Sequence, residues 1–139
     1  MNPVLRNIIA VIIGAIVGGY VNMQLVELGH SVFPLGENLD PEDFEAFKAA
    51  MATAGNEHFI FPFLAHAVGT LVGAILASLL AVSHQMKYAI GIGGFFLIGG
   101  IAANIMIPGP WWFSVVDLLI AYIPMGYLGG MIGDKLSTR

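Results

Sequence analysis

The chain has 139 residues, enough for one ordinary domain and too few for two sizeable ones. Hydrophobic residues make up 58% and charged residues 10%, with five Lys and Arg against nine Asp and Glu for a net charge of −4. Soluble domains carry about 45–50% apolar and about 25% charged residues, so these few charges cannot coat a globule, and a water-soluble monomer is excluded. The apolar excess also excludes disorder, and the lack of positive excess argues against a nucleic-acid partner. With no cysteine there is no disulfide framework, thiol redox centre or thiolate metal site. The expected class is an all-α integral membrane protein, a single domain over residues 1–139 with the lipid bilayer as its first partner.

In chain order, the first apolar stretch is the 20 uncharged residues from Asn7 to Val26. The second is the 29 uncharged residues from His58 to Met86. The third begins at Tyr88 and is broken at Pro108-Gly109-Pro110; the fourth runs from about Trp111 to Gly133 and carries Asp117. A spanning helix needs about 20 apolar residues, which predicts four spans. The first is longer than a signal-peptide core of about 7–15 residues, and no small-residue cleavage site follows it. It is expected to stay in the mature protein.

Asn2-Pro3 and Asp40-Pro41 each place a capping side chain before proline at a first helical position. The second of these predicts a short amphipathic helix over about residues 41–54, inside a 31–57 loop. Phe44, Phe47 and Met51 form its apolar face. At about 21 Å it is too short to cross a bilayer, so it rests on the surface as a connector or, less simply, as a lid. Arg6, Lys87, Lys135 and Arg139 fall on one side of the spans and only Lys48 on the other. The positive-inside rule then puts both termini in the cytoplasm of a plasma or inner membrane and the 31–57 loop outside. Trp111 and Trp112 fall where an outer aromatic belt is expected.

Small residues recur on one face of each span. Ala10, Gly14, Gly18 and Asn22 are spaced by four in the first; His66, Gly69, Gly73 and Ala77 share a face of the second; Gly93, Gly100 and Asn104 align on the third. Such faces let membrane helices approach closely and are expected to look inward. In the fourth span Gly126, Gly130 and Gly133 form the stripe, and Asp117 falls on the opposite face of a straight helix. Either Pro124 bends the helix or the stripe serves a second subunit. Gly18 with Asn22 echoes Gly100 with Asn104, and Gly69 with Gly73 echoes Gly126 with Gly130. The two offsets differ by about the length of the extra loop, which suggests a tandem two-helix repeat.

Polar side chains inside a membrane are expensive and tend to mark function. Here they gather in the outer half: Asn22, Gln24, Glu27 and His30 on the first span, His58 and His66 on the second, Asn104 on the third and Asp117 on the fourth. Asn22, His66, Asn104 and Asp117 are the expected ligand-binding set, opening outward, with His66 and Asp117 as a natural pair. The competing reading is an interhelical polar lock. Glu27, His30 and His58 are a lesser alternative, a rim site for one zinc-like ion; no other metal and no cofactor is expected. Glu27 with His30 lacks the second Glu-x-x-His of a di-iron set. No nucleophile elbow, phosphate loop or HExxH is present, so an intramembrane enzyme is a minority reading.

In size and span number the chain resembles the small multidrug resistance transporters. Their essential glutamate in the middle of the first span has no counterpart here, where glycines, Tyr20 and Asn22 stand, and Glu27 is near the rim. The long outer loop departs too, so no function is carried over. The expected function is binding or transport of a small solute or ion at an outward-facing polar pocket. The alternative is a non-transporting accessory or sensor protein. Transport favours a homo-oligomer, because one four-helix bundle leaves little room for alternating access.

Overall fold

A computed structural model describes residues 1–40 and 42–137. It is all-helical among these residues: α1 (Pro3–Val32), α2 (Phe44–Ala52), a 3-10 turn (Asn56–Phe59), α3 (Ile60–Leu80), α4 (Gln85–Met106), α5 (Trp111–Ile120) and α6 (Ile123–Ser137). Four helical stretches are long and apolar enough to cross a membrane: Pro3–Val32, Asn56–Leu80, Gln85–Met106 and Trp111–Ser137. They alternate in direction. The ends of α1 and α6 that carry the termini lie with the Ala81–His84 turn at one end of the bundle, the terminal end; the 33–59 segment and Pro108–Pro110 lie at the other, the loop end.

The central helix is α3, with 44% of its most apolar window buried against 22% for α1 and for α4. Glycine explains how closely its neighbours approach. A Cβ on Gly18 would come within 2.6 Å of the Gly69 carbonyl oxygen, and one on Gly69 within 2.8 Å of the Gly18 oxygen. Gly14 and Gly73 repeat the arrangement one turn away, at 2.5 and 2.6 Å. The stripes on α1 and α3 therefore pack backbone on backbone, as their spacing predicts. Asn2 caps α1 as expected, its side chain accepting from the Val4 N–H at 2.8 Å, with Pro3 following.

The fourth span is two helices. Pro124 has no N–H, and its ring excludes the carbonyl four residues back; the chain turns at Ala121–Tyr122 between α5 and α6. This break resolves the conflict between the two faces. Asp117 is buried from α5, while Gly126, Gly129, Gly130 and Gly133 are buried from α6. A Cβ on Gly129 or Gly133 would strike α3 at Leu71 or Ile75, and one on Gly126 would strike α4 at Ala89. The stripe thus packs within the chain.

Two expectations need correction. The loop helix covers Phe44–Ala52, not 41–54, because Asp43 takes the cap: its carboxylate accepts from the Ala46 N–H at 3.0 Å. Asp40 instead closes a turn by accepting from Glu42 N–H at 2.9 Å, and Pro41 lies outside the described residues. Met51 is buried with Phe59 and Phe113, and Phe47 packs on them, but Phe44 is 42% exposed. The repeat does not extend to contacts. Gly18 meets Gly69, but the matching Gly100 meets the Tyr122 ring, and Gly126 meets Gly93, about two turns away.

Candidate functional site

His66 and Asp117 each stand six residues beyond the first residue of their helix, α3 and α5. At 1.5 Å per residue both lie about 9 Å from the loop end. The α3 small-residue face turns His66 inward, and the Pro124 break leaves α5 free to turn Asp117 toward it. Asp117 is fully buried, and its Oδ1 lies 2.7 Å from His66 Nδ1. Its Oδ2 accepts from Asn104 Nδ2 and from the Tyr122 hydroxyl, each at 3.2 Å. Asn104 also donates to the Gly100 carbonyl at 2.9 Å, and its own oxygen accepts from Ser114 Oγ at 2.7 Å.

With Asp117 ionised, its oxygens only accept, and His66 Nδ1 is then the donor across the 2.7 Å contact. The imidazole is fixed on its other side by Tyr122, whose ring stacks on it with centroids 5.6 Å apart at 30°. Tyr122 in turn lies against Gly100, where any Cβ would overlap its ring. A carboxylate orients a tautomer, a phenol holds the ring plane, and the second imidazole nitrogen, Nε2, is left without a protein partner. In metal-free chemistry that combination presents a base or, after protonation, a donor.

A cavity of 250 Å³ is bounded by His66, Asn22, Thr70, Phe96, Tyr122 and backbone at Gly69, Gly99 and Gly100. Thr70 is 1% exposed, and its hydroxyl makes no hydrogen bond. A second cavity of 140 Å³ lies toward the loop end, walled by aromatic rings including Phe33, Phe61 and Phe113, with His30, His58 and Glu57 on its lining. His66 and Ala103 belong to both linings.

Of the four residues expected to bind ligand, His66, Asn104 and Asp117 are joined by hydrogen bonds. Asn22 is not bonded to them and instead lines the larger cavity opposite His66. Glu27, His30 and His58 are not brought together as a ligand set; among the described residues no three His, Cys, Asp or Glu gather closely enough to hold a metal ion. Glu27 is exposed, His30 packs edge-on to Phe47, and His58 contacts Glu57 at 3.6 Å and the Gly55 carbonyl at 3.3 Å. Tyr122, Ser114 and Thr70 are the members that sequence reading missed. Thr70 had a signal, since it follows His66 by four on the small-residue face. Tyr122 had none until the Pro124 break was known.

The bundle and its cluster define a helical chain with four candidate membrane spans and, among the described residues, one buried acid with its imidazole partner. No protein-family model matches this chain, and neither the curated proteins nor the solved structures contain a match.

Proposed function

We propose that the chain is a multi-pass membrane protein whose four spans surround a binding site for a small solute, and that His66, oriented by Asp117, is the group the solute meets. The observation that carries this reading is a cavity lined by two polar side chains, His66 and Asn22, of which His66 is bonded to protein only through Nδ1 and Asn22 has no hydrogen bond among the described residues. A mostly apolar lining with a few polar side chains is the character of a small-molecule site. Loading is from the loop end, which the distribution of Lys and Arg puts outside the cytoplasm. A density map of the protein in lipid nanodiscs tests the reading. It should contain ordered density, distinct from lipid, against His66 and Asn22. A cavity filled by a collapsed side chain or an acyl tail contradicts it.

One observation favours a second reading, an accessory protein in which the cluster only locks helices. Asp117 has both oxygens satisfied by donors from α3, α4 and the α5–α6 turn, as a structural bond would. Asp117→Asn separates the two. A binding site loses the pH dependence of ligand binding with folding kept; a lock loses thermal stability and keeps any binding it had.

A further inference from the structure

We propose that the smaller cavity, at the loop end, is a second binding site and that it takes a neutral aromatic molecule the size of one ring. This goes beyond the solute site and does not rest on it, since the two linings share only His66 and Ala103. Size comes first. The cavity measures 140 Å³. An apolar cavity of about 150 Å³ stays dry and admits benzene. One ring therefore fits, and a whole lipid chain does not.

The walls are rings drawn from several elements. Phe33 follows α1, Phe47 stands on α2, Phe59 ends the 3-10 turn, Phe61 begins α3 and Phe113 belongs to α5. They meet in pairs: Phe33 and Phe61 with centroids 6.1 Å apart, Phe59 and Phe113 at 5.1 Å, and Phe47 with His30 at 5.8 Å. Met51, Phe59 and Phe113 are at most 7% exposed, so this wall belongs to the interior and not to the lipid face. Aromatic rings attract one another at tilted and edge-on angles beyond what apolar area supplies, and a methionine sulfur adds contact at a ring edge. A flat guest gains these contacts, and a saturated ring of the same bulk does not.

The polar members of the lining decide against an ion. Asn104 donates to Gly100 and Asp117 and accepts from Ser114. The two ring nitrogens of His58 lie against the Gly55 and Pro34 carbonyls at 3.3 and 3.5 Å, and His66 is bonded to Asp117. Asp117 is not part of this lining; its one acid, Glu57, is exposed, as is His30. Most polar atoms here are thus engaged by protein. A charged guest would give up its hydration for little in return, whereas a neutral ring has little hydration to lose. An organic cation seated on the ring faces is the rival occupant.

The test uses the whole protein in nanodiscs with 13C-methyl methionine, Met51 being assigned by Met51→Leu. Met23, 56% exposed and outside the lining, reports toluene dissolved in lipid. Toluene should shift the Met51 signal saturably, while Met23 moves in proportion to concentration or not at all. In competition with toluene, methylcyclohexane should bind about three- to tenfold more weakly, and tetramethylammonium should not displace it. Val26→Phe fills the cavity from α1 and should abolish the saturable shift; Ile107→Phe, just past α4, serves if that variant fails to assemble. Neither residue lines the larger cavity. A Met51 signal that follows Met23 without saturating, or a saturable shift that survives the filling variants, overturns the site. Displacement by tetramethylammonium, or methylcyclohexane binding as tightly as toluene, overturns the neutral aromatic guest. So does an acyl-chain contact at the Met51 methyl that toluene fails to remove. Each of these leaves the solute site to be decided by density against His66 and Asn22.

Discussion

Two polar clusters bridge the helices of this bundle, and they are built on opposite principles. At the terminal end, Asn7 is 4% exposed and its amide joins three partners: it donates to Ser83 Oγ at 3.0 Å and Tyr88 OH at 3.3 Å, and accepts from Val82 N–H at 2.8 Å. Nearby, Ser78 is fully buried and donates to the Gly130 carbonyl at 3.1 Å. Neither Asn7 nor Ser78 borders either cavity. Around His66 the carboxylate is equally well satisfied, yet His66 Nε2 and Asn22 have no protein partner, both residues line a cavity, and the Thr70 hydroxyl is buried without a bond. A polar group closed on protein partners fastens helices. One left without a protein partner fastens nothing.

The comparison can be broken by mutation, and the largest effect belongs to Asp117. Asp117→Ala takes away the acceptor shared by His66, Asn104 and Tyr122, and should lose about 3–5 kcal/mol of stability, read from thermal unfolding in detergent. Gly73→Leu drives a side chain into the Gly14 carbonyl and Ile92. It should lose about 1–3 kcal/mol or more and separate α1 from α3, which a spin-label distance between the two helices would report. Asn7→Leu removes three bonds for a loss of about 1–2 kcal/mol, while ligand binding at the cavity beside His66 should not change. Ser78→Ala is the smallest of the losses, about 0.6 kcal/mol, again without effect on binding. If Asn7→Leu altered ligand affinity as strongly as a change at the cavity, the separation of lock from site would collapse.

Much of this was legible in the chain. Four apolar stretches of spanning length, the glycine faces of α1 and α3, and the pairing of His66 with Asp117 all follow from spacing and the cost of charge in hydrocarbon. The rest depended on geometry that periodicity does not carry. Asn7 reads as the first uncharged residue of a span, and nothing local says that the Ala81–His84 turn folds onto it; that turn needs His84 at φ 53° to close. Pro124 announced a bend but not its consequence, which is to free Asp117 from the glycine face and to aim Tyr122 at both His66 and Gly100. The loop helix began later than expected because two aspartates competed as its cap and the one nearer the phenylalanines won. The apparent repeat failed at the level of contacts because shared small-residue spacing shows which faces pack, not in which register.

The central contrast, between polarity closed on protein and polarity left over, is tested most directly at Thr70. Thr70→Val keeps the shape of the side chain and removes only a hydroxyl that no protein atom satisfies. Its thermal stability would be measured side by side with that of Ser78→Ala. The account predicts opposite behaviour: Ser78→Ala is slightly destabilised, whereas Thr70→Val is as stable as the parent or gains up to about 1 kcal/mol. A Thr70→Val protein destabilised like Ser78→Ala would contradict the claim.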